Sequence, residues 1–307
     1  MSAETITYSH YGKCCRVFNG EVEALVTLDL GPRIIRYGFV GGANALGELG
    51  PEEAVNTVLG SWHPWGGHRL WHAPEVFPRT YSPDDSPVES VDAGGLAVDV
   101  AQAVEPATGI RKQMRVELSP EGTCLRVTHN LTNTNLWAVE LAPWALTIMR
   151  GGGVTIVPQE PFASHAESLL PARPLVLWSY TDLSDPRWTF HSRYVLLRSD
   201  PAIDTPQKIG AANKQGWAAH LCGGELFVKR FPYVAAAKYP DYGCNFETFT
   251  KAGFMEVETL GPLTVLQPLE SASHVETWHL FSGVDVGDSE DSLHAAIAPL
   301  VAGTQPV

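Results

Sequence analysis

Apolar and polar residues alternate with a period of two through most of the chain. The pattern is cleanest in CLRVTHNLTN, where Leu125, Val127, His129 and Leu131 fall on one side and Arg126, Thr128, Asn130 and Thr132 on the other. Successive side chains of a strand point to opposite faces, so this stretch predicts a half-buried β-strand. EVEALVTLDL, RIIRYGFV, GLAVDVAQAV, IRKQMRVELS, AVELAPWALTIM, ELFVKRFPYV, FMEVETL, LTVLQPL and HVETWHLFSG read the same way. Turn chemistry falls between them, at Gly31-Pro32, Pro120-Glu121-Gly122 and Gly261-Pro262. Helical pattern is confined to PEEAVNTVL after Gly50 and to SEDSLHAAIAPLVAG, with Ser289 as N-cap and Gly303 as stop. The expected fold class is all-β: a large two-sheet antiparallel β-sandwich with few short helices. No repeat or low-complexity linker divides the chain, so residues 1–307 are expected to form one domain. The stretch 152–190, rich in Pro and weak in periodicity, reads as long loops over one sheet face, where binding residues collect.

A composition of 44% hydrophobic and 18% charged residues supports a substantial core. The net charge of −13 comes without clustered Lys and Arg, which argues against nucleic acid or an anionic membrane as partner. A small neutral or cationic molecule, such as a sugar, fits better, while the oligomeric state stays open. The opening MSAETITYSHYGKCC lacks the charged and apolar regions of a secretory signal, and no apolar run reaches membrane-spanning length. A soluble, cytoplasmic protein is expected. Five cysteines, odd in number and without a CxxC spacing, suit buried reduced thiols better than disulfides or zinc.

Three stretches hold candidate chemistry. HPWGGHRLWHAPE, from His63 to Glu75, reads as a loop that crowds three histidines, Arg69 and two tryptophans around Gly66-Gly67. Pro64 and the glycine pair bend the chain enough to bring His63 and His68 toward one point, where a histidine serves as general acid or base. Trp62, Trp65 and Trp71 offer flat faces for a sugar ring or for core packing. The second stretch carries Glu256, Glu258, Glu270, His274 and Glu276. In EVE and HVE the polar residues share one strand face, and on a concave sheet Glu258 and Glu270 would meet, with burial raising one carboxyl toward a general base's range. The third, KYPDYGCNFETFTKAGF, interleaves Lys238, Asp241, Asn245 and Glu247 with aromatic residues, as a hydroxyl-rich ligand requires. No phosphate loop, dinucleotide fingerprint, nucleophile elbow or metalloprotease motif is present, and no spacing demands a metal, so no cofactor is expected.

LDLGPRIIRYGF, HPWGGHRLW and LTVLQPLESASHVETWHLF together resemble the galactose mutarotase-like (aldose 1-epimerase) superfamily. GGHRLWHAPE, NFETFT and MEVETLGPL resemble more closely a bacterial branch of it labelled DUF4380. The resemblance implies a carbohydrate-active protein with a sugar cleft on the concave sheet, either an aldose 1-epimerase-like isomerase, a sugar-binding protein without catalysis, or a lyase or hydrolase. It implies Glu270 as base and His63 or His68 as acid, with Arg33 and Arg69 holding hydroxyls and Trp71 stacking on the ring. The epimerases' second histidine would fall in VELAPWALTIM, where this chain has Trp144.

Overall fold

The computed structural model describes residues 2–304 and 307. Two antiparallel sheets, one of 11 strands and one of 10, hold most of the described strands. Across the middle of the first run Val22–Thr27, Ile34–Phe39, His68–Ala73, Val139–Met149, Phe254–Leu260, Phe246–Lys251 and Gln207–Ala211, in that spatial order. The middle of the second is Trp217–Cys222, Glu225–Arg230, Ser271–Phe281, Leu125–Asn133 and Ile110–Leu118.

The sheets face each other across an apolar core. Leu70, Phe246, Met255 and Val257 of the first meet Val127, Leu131, Phe227 and Trp278 of the second. Each such side chain contributes about 1.5–3 kcal/mol when fully buried. The alternation read in CLRVTHNLTN is present: Leu125, Val127, His129 and Leu131 are buried, while Arg126 is exposed. The C-terminal helix Glu290–Ala302 is capped by Ser289, whose hydroxyl accepts from Ser292 N, and is followed by Gly303. Its Leu293, Ile297 and Val301 pack on the outer side of the second sheet, against Ile156, Ala219 and Val228. No helix among the described residues is long and apolar enough to cross a membrane.

Three expectations are corrected. PEEAVNTVL is not helical; β-branched Val55 and Thr57 instead form a short hairpin in which Val55–Thr57 pairs with Gly60–Trp62. The stretch 152–190 is not bare loop, since Val154–Pro158 lies inside the second sheet, Trp188–Phe190 joins it, and Leu175–Leu177 edges the first. The run HRLWHA is a central strand rather than a loop, and all six of its residues are buried. A strand covered on both faces loses the alternation by which strands are recognised. The glycine pair before it has a packing reason. Gly67 has φ +66°, and a Cβ there would lie 2.3 Å from the Ile34 carbonyl oxygen.

Candidate functional site

Because His68–Ala73 is a strand, its residues divide between two environments. His68 and His72 point between the sheets, whereas Arg69 and Trp71 point to the outer face of the first sheet. Neighbouring strands extend that outer face. In register, Arg69 lies opposite Leu146, Leu146 opposite Glu258, and Glu258 opposite Glu247. Trp71 pairs with Trp144, and Glu256 sits between Ile148 and Phe249. Lys208 enters from Gln207–Ala211. With Trp62, Tyr81 and Tyr180 these side chains, Glu247 excepted, line a cavity of about 1020 Å³, adjoined by a chamber of about 370 Å³ that shares Glu75, Tyr81 and Trp144 with it and is lined by Glu247.

The floor is a charge lattice. Lys208 Nζ stands 2.7 Å from Glu247 Oε2 and 3.1 Å from Glu258 Oε2, and Trp144 Nε1 donates to the same Glu258 oxygen at 2.9 Å. Arg69 Nη2 donates to Glu256 Oε1 at 3.2 Å. Both cations lie over indole faces, Arg69 over Trp71 at 4.5 Å and Lys208 over Trp178 at 4.8 Å. Gly210 makes room for that indole: a Cβ there would sit 2.4 Å from Cys244 Sγ and 3.3 Å from Trp178. Burial, joined by repulsion from Glu258 and opposed by Arg69, pushes the Glu256 carboxyl up to about 7. Burial likewise raises Glu247 well above the carboxylate range, against the pull of Lys208. Burial opposes the charge on Lys208, but Glu247 and Glu258 outweigh it and hold the ammonium well above its ordinary value. Several buried polar atoms of this face lack a partner, namely Arg69 Nε and Nη1, Trp62 Nε1, Trp71 Nε1, Glu258 Oε1 and Glu247 Oε1.

The second polar cluster lies between the sheets. His129 Nδ1 donates to the His274 carbonyl at 2.9 Å, leaving His129 Nε2 as the acceptor for His68 Nε2 at 2.6 Å. His68 Nδ1 then accepts from Thr147 Oγ1 at 2.8 Å, and that hydroxyl accepts from Lys229 Nζ. Glu276 accepts from Thr259 and from Trp278 Nε1, with Lys229 3.1 Å away; His274 Nε2 donates to the Thr259 hydroxyl at 2.7 Å. Burial drives His68 and His129 below the ordinary histidine value and His274 down to about 3, so all three are neutral. His68, His129 and Glu276 hold the one group of three potential metal-ligating atoms found among the described residues, all within 4.8 Å of one another. Lys229 already supplies a cation there, and the hydrogen bonds close without an ion. This arrangement is a satisfied core network.

The residues singled out in the sequence therefore separate. Arg69, Trp71 and Glu258 line the larger cavity, and Asp241 and Glu247 line the chamber beside it. His68 and His274 belong to the core network. His63 is half-buried outside the cavity, its Nδ1 3.1 Å from Asp85 Oδ2. Arg33 is fully enclosed: it pairs with Asp84 at 2.6 Å and donates to the Pro64 carbonyl, so it fixes the loop rather than facing a ligand. Lys238 is exposed and lines neither cavity. Glu270 is exposed in a turn, where its side chain accepts from Gln267 N, and it does not reach Glu258. Glu256 was visible as the partner of Glu258 in EVE. Lys208, in the short strand QKIGA, carries no recognisable sequence signal.

No family model matches the chain, and no curated protein matches it in sequence. Solved structures are similar in fold. A TPR-domain containing protein from Parabacteroides distasonis is 14% identical with a TM-score of 0.59, over 91% of this chain and 49% of that one, so the chain spans about half of its length. A candidate aldose 1-epimerase from Klebsiella pneumoniae is 9% identical with a TM-score of 0.63, over 94% of this chain and 83% of that one. A galactose mutarotase-like protein from Lactobacillus casei is 12% identical with a TM-score of 0.52, over 87% and 100%. The fold is thus the antiparallel β-sandwich of the galactose mutarotase-like proteins.

Proposed function

We propose that the cleft on the first sheet binds a carbohydrate and interconverts its anomers, as an aldose 1-epimerase-like isomerase. The observation that carries this reading is the set of buried, unpartnered donors and acceptors on one floor, Arg69, Trp62 and Trp71 beside Glu247 and Glu258, flanked by aromatic faces. A buried polar group without a partner costs about 1–3 kcal/mol. A polyol returns donors and acceptors to all of them at once, and its apolar ring face stacks on an indole.

Glu256 and Glu258 are two apart on one strand face, a spacing of about 7 Å that brackets a pyranose ring. In this reading Glu258 takes the proton from the anomeric hydroxyl, and Glu256, whose carboxyl titrates near neutrality, protonates the ring oxygen. The C1–O5 bond breaks as the C1 carbonyl forms, the C1–C2 bond rotates, and the reverse transfers close the ring on the other face. In this reading the base role that the resemblance assigned to Glu270 passes to Glu258, and the acid role it assigned to His63 or His68 passes to Glu256. The ligand is a small molecule, and the setting we infer is one cytoplasmic domain of the DUF4380 branch.

Polarimetry of freshly dissolved glucose and galactose tests this. Acceleration by the wild type and its loss in Glu258→Gln are expected. A second reading, binding without turnover, is favoured by the lack of any histidine in the cavity lining among the described residues. Saturable ligand shifts in NMR without acceleration would establish it in place of the first.

A further inference from the structure

The chamber beside the main cavity has a composition unlike the rest of the cleft. The Glu75 and Asp241 carboxylates and the buried Glu247 carboxyl border it, together with Tyr81, Trp144 and Trp178, and among the described residues no Lys or Arg is in its lining. Lys208 reaches Glu247 from the main cavity and touches its Oε2, leaving Oε1 buried and unpartnered. Asp241 stands in a turn where it and Tyr242 both have positive φ, 50° and 61°. Carboxylates combined with aromatic faces are the chemistry that recognises an ammonium group, through Coulomb attraction and cation–π contact together. A phosphate or uronate carboxylate would face Glu75 and Asp241 there, while the nearest cation, Lys208, is already held between Glu247 and Glu258.

Resting on the carbohydrate reading above, we propose that this chamber receives the ammonium of an amino sugar whose ring occupies the adjoining cavity. At about 370 Å³ it lies near the lower end of ligand pockets, which run from about 300 to 1,000 Å³, so it holds a substituent or a single ring. Neutral sugars then bind through the shared floor alone, and acidic sugars are rejected.

Calorimetric titration of the full chain at pH 6.5 with glucosamine, N-acetylglucosamine, glucose and glucose 6-phosphate tests the proposal. Glucosamine should bind at least about tenfold tighter than glucose, N-acetylation should abolish that gain, and added salt should shrink it. In Asp241→Asn, a change at a partly exposed turn residue, the glucosamine-to-glucose ratio should fall toward one. Glucose binding as tightly as glucosamine, or glucose 6-phosphate binding tightest, would overturn the amino-sugar assignment and leave the sugar cleft standing. Binding of none of the four would overturn both. The comparison with N-acetylglucosamine uses wild-type protein only, so it stands even where a variant misfolds.

Discussion

Replacing Lys229 by Met removes the one ammonium in the core network while keeping much of its volume. Lys229 is fully buried, 3.1 Å from Glu276, and donates to the Thr147 hydroxyl and, at 3.1 Å, to the Val257 carbonyl. Without it the Glu276 carboxylate keeps its hydrogen bonds from Thr259 and Trp278 but has no counter-charge beside it. Breaking a buried pair costs about 3–5 kcal/mol, and the two surviving donors place the expected loss near the lower figure, about 3 kcal/mol. That is a large part of the roughly 5–15 kcal/mol that holds a typical domain together. Urea unfolding followed by tryptophan fluorescence reads it, provided the slope with denaturant is unchanged. Adding Glu276→Gln removes the stranded charge and should recover at least about 2 kcal/mol of the loss. Burial opposes the Glu276 charge, yet Lys229 and the hydrogen bond from Thr259 keep its carboxyl below the ordinary value. In Lys229→Met it becomes a raised carboxyl, which takes up a proton as pH falls, so the deficit against wild type should be largest at pH 7 and narrow toward pH 5. A loss under about 1 kcal/mol, or strict additivity in the double variant, would refute the view of Lys229 and Glu276 as a coupled pair.

Acid should destabilise the fold earlier than carboxylate protonation alone would. Burial lowers His274 to about 3 and His220 to about 4, so stability is full above the ordinary histidine value of 6.5 and falls as pH drops toward the folded values. At pH 5 each costs roughly 2 kcal/mol and the lowered His68, His129 and His279 add in the same sense, while the two raised carboxyls, Glu256 and Glu247, work in the opposite direction and are outnumbered. The melting temperature should therefore drop between pH 7 and 5, and a flat or rising profile would contradict the neutral-histidine assignment. Glu256→Gln should remove any inflection near pH 7 from the pH profile of sugar binding or turnover, and an inflection that persists would assign it to another group. Gly210→Ala forces a Cβ to within 2.4 Å of Cys244 Sγ and should cost about 1–3 kcal/mol while shifting Trp178; an unchanged melting temperature and unchanged sugar binding would show that the indole does not depend on this gap.

The sandwich was legible where strands are covered on one side only. Leu125–Asn133 and Ile110–Leu118 keep a period of two because alternate residues reach solvent. The strands that build the site are buried along most of their length, and HRLWHA and QKIGA show no period. Reading HRLWHA as a loop put His63 and His68 at one point, whereas a strand sends His68 inward and leaves His63 behind. Glu258 was legible because EVE sits on a recognisable strand. Glu247 faces it across the hairpin of Phe246–Lys251 and Phe254–Leu260, but Lys208 and Trp144 come from strands far apart in sequence, joined by pairing that no local pattern encodes. The resemblance pointed to Glu270 as base, and only the register of Thr264–Leu266 against Val139–Leu141, at the start of the strand Val139–Met149, shows that it lies away from the cleft.

The strand His68–Ala73 presents one set of side chains to the core and the other to the cleft. Selection can thus act on the two sets separately: replacing Arg69 or Trp71 rewrites what the sheet recognises, while His68, Leu70 and His72 still meet the same partners. Such a strand gives a lineage freedom to change its chemistry at every second position without refolding. That freedom is one route by which structures only 9–14% identical to this chain share its architecture.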